Sequence, residues 1–229
     1  MDSLQTTYRQ RAILLRAILF DLDGTLIDQF TAIHRAYARA MEELGLEPAD
    51  YATVRAAVGG SSDMTMKKLV GPDLLQQGLE IYPSIFEEFM LEGLDPMPGS
   101  MEVLKALQER GEKTGIFTNK VGRHARAACD HLGFTPLVQQ VLGVKDTPWR
   151  KPDAEFSHYA LKLLDASAEE SLLVGDSPFD FDSAANVGMN CRLVTTGTHS
   201  AKQLEHLGAL SIHEDLFSLA REAWGLELE

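Results

Sequence analysis

Two aspartates one residue apart, Asp21 and Asp23, stand where a short apolar run ends, in Ala17-Ile18-Leu19-Phe20-Asp21-Leu22-Asp23-Gly24-Thr25. Carboxylates this close repel one another unless a cation lies between them or one is held protonated, and either outcome is chemistry rather than scaffolding. Three further polar groups have a similar setting, at the end of an apolar stretch or in the loop after it: Thr118-Asn119, Arg150-Lys151, and Asp176 with Asp180. Hard carboxylate oxygens select Mg²⁺, a lysine neutralises a phosphoryl oxygen as a point charge, and hydroxyl, amide and backbone N–H groups bind the remaining oxygens. Brought together, the set suits a metal ion and a phosphate. Each member also has a plain structural reading: a solvated D-x-D turn, a Thr118 that caps the next helix, a surface Lys151 starting a helix, and an Asp180 favoured at a helix N-terminus.

The elements that must carry these residues are legible from periodicity. Four apolar residues bounded by charge predict a strand over 17–20, covered on both faces, with Gly24 turning the backbone just beyond it. Helices follow over 31–44, where Ile33, Tyr37, Ala40, Met41 and Leu44 recur at helical spacing before Gly45, then over 51–58, over 63–70 up to Gly71-Pro72, and over 73–91. Between 28 and 94 no strand pattern occurs. After Asp95-Pro96-Met97-Pro98-Gly99, Ser100 caps a helix that Gly111 ends, and strands and helices then alternate. Strands are expected over 113–117, 138–142, 171–174, 192–194 and 209–212, and helices over 123–132, from Pro152, over 180–187, over 201–207 and over 215–224. Such alternation implies an α/β fold, a doubly wound parallel sheet whose strand ends converge on one site. The expected organisation is an α/β core from 1–27 and 95–229, with an inserted all-helical cap subdomain, 28–94.

Charge and composition narrow the function. The 229 residues include 34 acidic and 21 basic side chains, a formal net charge of −13, which argues against broad nucleic-acid binding or attachment to an anionic membrane. An anionic substrate therefore needs a local positive site. Cys129 and Cys191 form no C-x-x-C pair and sit in apolar contexts, the pattern of buried reduced thiols in a cytoplasmic protein. The apolar patch at 12–15 is bracketed by Arg11 and Arg16 with no small-residue cleavage site after it, so it is not read as a signal peptide. No uncharged apolar run approaches the roughly eighteen residues of a membrane helix.

Four motifs in order carry a family resemblance: D-L-D-G-T-L at Asp21 to Leu26, T-N at Thr118-Asn119, K-P at Lys151-Pro152, and G-D-S-x-x-D from Gly175 to Asp180. The chain resembles the haloacid dehalogenase superfamily over nearly its whole length. It is most similar to the phosphatase branch with a helical cap after the first motif, typified by phosphoglycolate phosphatase and beta-phosphoglucomutase. The resemblance implies Asp21 as the nucleophile that forms an aspartyl phosphate and Asp23 as general acid and base. It implies Mg²⁺ held by Asp21, the Asp23 carbonyl and Asp176, phosphate contacts from Thr118, Asn119 and Lys151, and Asp180 orienting Lys151 or a metal-bound water. The implied partner is a small phosphorylated metabolite.

In the expected cap, His34, Arg55, Lys67 and Lys68 are the cations that could meet an anionic leaving group, with Gly59-Gly60-Ser61 as a substrate loop. Asp23 disfavours a dehalogenase, which has no departing alkoxide to protonate, and a phosphonate hydrolase, which by resemblance carries a small residue there. A phosphosugar mutase uses the same two aspartates and is the alternative enzyme. A non-catalytic phosphometabolite-binding protein is the alternative of another class.

Overall fold

In the structure, a computed structural model that describes residues 16–228, the first apolar run forms strand β1 (Ala17–Phe20) at the centre of a six-stranded sheet. The patch at 12–15 lies outside the described residues. Side chains of β1 alternate between two apolar layers. Ile18 and Phe20 pack on one face among Leu104, Ala125 and Leu219, while Ala17 and Leu19 pack on the other among Phe156, Ala184 and Leu204. A strand covered on both sides has no polar position to spare, which is why the run is uninterrupted until Asp21.

Beyond β1 the chain passes through β2 (Ile27–Asp28) into the helices α1 (Phe30–Glu43), α2 (Tyr51–Ala57) and α3 (Ser62–Phe89), and returns through β3 (Asp95–Pro96). Strands β2 and β3 pair antiparallel, Ile27 opposite Pro96 and Asp28 opposite Asp95, so exit and return lie side by side. The inserted helices have their own apolar cluster, built on Phe30, Tyr37, Met66, Tyr82 and Phe86. The helices expected over 63–70 and 73–91 are both present within α3, which breaks between them at Gly71. At Gly71 the backbone leaves helical geometry (φ 75, ψ 177), yet the chain resumes its helical course directly after it.

The remainder alternates: α4 (Ser100–Glu109), β4 (Lys113–Val121), α5 (Gly122–Leu132), β5 (Gln140–Val144), α6 (Ala154–Leu163), β6 (Ser171–Gly175), α7 (Pro178–Ala185), β7 (Asn190–Val194), α8 (Ala201–Leu204), β8 (Ser211–His213) and α9 (Leu216–Trp224). The strand order is β5-β4-β1-β6-β7-β8 and every pairing in it is parallel. The chain winds outward on one side of β1, crosses back and winds outward on the other. The carboxyl ends of β4, β1 and β6 therefore flank the point where the winding reverses, the usual ligand crevice of such sheets.

Three local expectations are corrected. Strand β4 does not stop at Phe117 but runs to Val121, with an irregular register against β5 between Thr118 and Val121. Helix α4 is capped by Gly99, in a left-handed conformation (φ 85), and Ser100 is already helical. Pro152 does not open a helix. Asp153 N–H bonds Arg150 O at 2.7 Å and Arg150 N–H bonds Asp153 Oδ2 at 3.0 Å, so a closed turn occupies 150–153 and α6 begins at Ala154.

Replacing the fully buried Phe20 with Ala removes a large ring from a layer with no room to collapse, and is expected to lower unfolding free energy by about 3–5 kcal/mol in urea titrations. Leu210→Ala, at a side chain 59% exposed, should change it by less than about 0.5 kcal/mol.

Candidate active site

The site grows from the last ladder hydrogen bond of β1. Asp21 N–H donates to Val174 O at 2.9 Å, keeping Asp21 in register with β6, and the chain then coils tightly: Leu22 O accepts from the N–H groups of Thr25, Leu26 and Ile27. Gly24 makes this loop possible. Its φ is +87, and a Cβ there would lie 2.7 Å from the Gly197 backbone. The loop after β7 is pinned to it by Thr196, whose hydroxyl donates to Gly24 O at 2.6 Å.

Lys151 is the centre of the constellation. Its ammonium lies 2.6 Å from Asp21 Oδ1 and 2.6 Å from Asp180 Oδ1, and it is buried. The Asn119 amide clamps its backbone from both sides, accepting from Lys151 N–H at 2.8 Å and donating to Lys151 O at 3.2 Å. Asp180 is equally committed. Its second oxygen accepts from Ser177 N–H at 3.1 Å and from the Ser177 hydroxyl at 2.7 Å, closing a capping box at the start of α7. Both readings of Asp180, helix-terminal carboxylate and partner of Lys151, thus describe one side chain. Asp176 is held from the other side by Thr198, through its N–H at 2.8 Å and its hydroxyl at 3.3 Å. Thr118 is buried, lines the cavity, and accepts from Lys120 N–H at 3.2 Å instead of capping α5.

The structure therefore brings Asp21, Asp23, Thr118, Asn119, Lys151 and Asp176 to one cavity, with Asp180 directly behind Lys151. It adds Lys120, which sequence reasoning missed: its ammonium sits 3.0 and 3.1 Å from the two oxygens of Asp23. The signal was a lysine immediately after T-N, at the end of an apolar strand where a solvent-facing residue is not expected. Thr198 was missed because nothing in its local sequence points to a carboxylate 22 positions earlier.

The inserted helices supply the facing wall, with Tyr37, Tyr82 and Phe86, together with Gly59 and Gly60 of the loop before α3. The four cations singled out there do not line the cavity. Arg55 donates to Gly197 O at 2.9 Å, Lys68 to Ala57 O at 2.9 Å, His34 contacts Ala49 O at 3.1 Å, and Lys67 is exposed. Arg55 instead ties the insertion to the sheet, as do Arg150, which donates to Ser61 Oγ at 2.7 Å and to Asp63 at 3.0 Å, and Glu87, which pairs with Arg123 at 2.7 Å.

Electrostatics leave the site short of positive charge. Burial, opposed by Lys151 and reinforced by Asp180 and Asp23, pushes the Asp21 carboxyl up to about 6. Burial together with Asp180 and Asp21 pushes Asp176 well above the ordinary carboxylate range, although the Thr198 N–H works against it. Burial alone would lower Lys151, but Asp180 and Asp21 outweigh it and hold the ammonium charged. Ligand oxygens of Asp21, Asp176 and Asp180 all lie within 4.8 Å of one another. Those of Asp180 are already taken by Lys151 and Ser177. Asp21 Oδ2 and Asp176 Oδ1 accept no hydrogen bond from the described residues, so these two carboxylates fit a hard divalent cation, which would relieve the repulsion that otherwise protonates them.

A parallel doubly wound sheet with helices inserted after its first strand, and acids and a buried lysine at the strand ends, defines a class of hydrolase. The chain belongs to the haloacid dehalogenase-like hydrolase family, whose sequence model matches residues 18–194, and it is a phosphatase, a phosphoric monoester hydrolase. It is 30% identical over 215 residues to the phosphoglycolate phosphatase of Rhodospirillum rubrum, covering 89% of each chain. It is 31% identical over 187 residues to that of Rhodobacter capsulatus, covering 79% of this chain and 84% of the relative. Among solved structures it resembles a predicted phosphoglycolate phosphatase from Haemophilus somnus, with a TM-score of 0.85 at 21% identity over 91% of this chain and 98% of that one.

The raised carboxyls make a stability prediction. Folded Asp21 and Asp176 bind protons more tightly than the unfolded chain does, so their contribution is fully present below the unfolded value of 3.8 and is lost as pH rises through the folded values, about 6 for Asp21 and well above the ordinary carboxylate range for Asp176. In chelator at pH 7.5, Asp176→Asn should be more stable than wild type, the gap shrinking by pH 5 and upon addition of a divalent cation. Unfolding titrations at the two pH values, with and without the cation, check this.

Proposed function

We propose that this phosphatase removes the phosphoryl group from a small phosphorylated metabolite, phosphoglycolate-like or a sugar phosphate, through an aspartyl phosphate on Asp21. The observation that carries the reading is Asp21 itself. It stands at the carboxyl end of the central strand, one oxygen held by Lys151 and the other without a protein partner beside Asp176. That free oxygen attacks phosphorus as the ester P–O bond breaks, and Lys151 and Thr118 bind the phosphoryl oxygens. Asn119 acts by fixing the backbone of Lys151. Asp23 delivers a proton to the departing alkoxide and then takes one from the water that cleaves the aspartyl phosphate, returning Asp21 to its carboxylate and releasing orthophosphate. Asp21, Asp176 and the Asp23 carbonyl would hold Mg²⁺, which would neutralise phosphoryl charge there and let both carboxylates stay ionised.

The inserted helices, 28–94, act as a cap on the paired β2–β3 linkers, excluding water from the aspartyl phosphate. The relatives named phosphoglycolate phosphatase support a small acid-bearing ester. A cytoplasmic setting is supported by the burial of both free cysteines. Among the described residues, no helix is long and apolar enough to cross a membrane.

Purified protein with Mg²⁺ is expected to release inorganic phosphate from p-nitrophenyl phosphate and from members of a phosphometabolite panel that includes 2-phosphoglycolate and a hexose 1-phosphate. Chelator should abolish the release and Mg²⁺ restore it, and Asp21→Asn should lower kcat by at least about 1000-fold with an unchanged circular dichroism spectrum. Phosphate migration on the hexose phosphate without stoichiometric release would make the protein a mutase. No turnover from folded wild type would leave a binding protein.

A further inference from the structure

One peptide group in the loop after β7 is held at both ends. Its carbonyl, Gly197 O, accepts from the Arg55 guanidinium at 2.9 Å, and its amide, Thr198 N–H, donates to Asp176 Oδ2 at 2.8 Å. The two bonds lead to opposite sides of the seam between insertion and sheet, since Arg55 belongs to α2 and Asp176 stands just after β6. A peptide unit is planar and stiff, so fixing its carbonyl fixes the direction of its N–H. A guanidinium on the oxygen also polarises the unit and makes the N–H a stronger donor. The residue on which the unit turns is a glycine, the least restricted by its own sterics, and a Cβ there would lie 1.8 Å from Asp176 Oδ2.

Arg55 is itself well fixed. Its guanidinium carbon lies 4.9 Å from the centre of the buried Phe30 ring on α1, and the nitrogen that bonds Gly197 O also reaches Thr196 O at 3.4 Å. The chain carries 34 acidic residues, yet among the described residues the hydrogen bonds of this cation go to those two carbonyls. The anchors that tie the start of the loop to the sheet stop one residue earlier: Thr195 N–H bonds His213 O at 2.9 Å and the Thr196 hydroxyl bonds Gly24 O at 2.6 Å.

We propose that Arg55 is a positioning residue for the divalent-cation site. Seating of the insertion sets the Gly197–Thr198 peptide, the peptide holds Asp176 Oδ2, and the other oxygen of Asp176 is left without a protein partner for the cation to use. Cation affinity and the seating of the inserted helices are thereby linked, and by reciprocity the cation must favour the seated insertion by the same factor. This inference rests on the assignment of a divalent cation to Asp21 and Asp176 above, and adds that the site is complete only with a contact from across the seam. Simple electrostatics predicts the reverse. A guanidinium near a cation site repels the cation, so removing its charge would tighten binding, whereas losing its hold on the peptide weakens it. The sign of the effect separates the two.

Calorimetric titration with Mg²⁺ alone, with no phosphate ester present, reads the site without turnover. Arg55→Met should raise the Mg²⁺ Kd by about 5–10-fold. Arg55→Lys, which keeps the charge and can donate to one carbonyl, should recover part of the loss. Asp63→Ala removes a different tie across the same seam, the half-exposed pair with Arg150, and should leave the Kd within about twofold of wild type. Hydrogen exchange supplies the reciprocal reading: Mg²⁺ should slow amide exchange in α2 of wild type and have no effect there in Arg55→Met. If Arg55→Met does not fold, Arg55→Gln takes its place with the same expectation. A Kd that falls or stays within about twofold in the Arg55 variant, or an equal loss in Asp63→Ala, overturns the proposal. Wild type that hydrolyses phosphate esters but binds no Mg²⁺ overturns the cation assignment and the proposal with it. Wild type and Arg55→Met that bind Mg²⁺ equally leave that assignment standing and remove only the role of Arg55.

Discussion

A buried ammonium flanked by two carboxylates is the constraint on which the site depends. Lys151 sits between Asp21 and Asp180 at 2.6 Å from each, with Lys151 and Asp180 shut off from water and Asp21 reached only from the cavity it lines. Taking any of these charges out of water costs several kcal/mol, which only close, well-directed partners offset. Removing one member would strand the others. The triad also ties together three segments remote in sequence, the end of β1, the turn at 150–153 and the start of α7. The Asn119 clamp on Lys151 joins β4 to the same knot.

Four carboxylates at the strand ends face two ammonium groups, so charge neutrality needs two protons or one divalent cation. Without a cation, burial and mutual repulsion lift Asp21 to about 6 and Asp176 well above its ordinary range. The fold holds this uncomfortable arrangement because the backbone is brought unusually close: Gly24 and Gly197 lie where any side chain would collide with Asp176 or with each other's loop. Carboxylate repulsion of this kind, held in place by the sheet, suits a pocket whose charges are completed by what it binds.

The inserted helices meet the sheet through two kinds of contact. Their aromatic side chains form the cavity wall, with Tyr37 and Tyr82 stacked at 4.2 Å and Phe86 beside Tyr82 at 5.7 Å. Polar contacts ring the outside, and pairs such as Arg150–Asp63 and Arg123–Glu87 are about half exposed. Exposed pairs are each worth about 0–1 kcal/mol, so they hold the insertion lightly. The covalent connection is only the paired two-residue strands β2 and β3. A firm sheet and a lightly tethered insertion thus share one cavity.

Much of this was legible in the residues alone. Alternation of apolar runs with helical periods specified a parallel α/β sheet, because a strand buried on both faces admits no polar residue and a helix needs only one apolar face. The motif residues Asp21, Asp23, Thr118, Asn119, Lys151 and Asp176 do meet at one cavity, since a doubly wound sheet delivers its strand ends to a common edge. Other features were decided only by the packed chain. Tyr37, Tyr82 and Phe86 have the same spacing whether they fill a core or line a pocket, and Arg55 became a tether through carbonyls of a loop about 140 residues away. Lys120 and Thr198 are the clearest cases. What each does depends on a carboxylate brought within about 3 Å by strand register and loop packing, and such three-dimensional neighbours leave no local pattern in sequence.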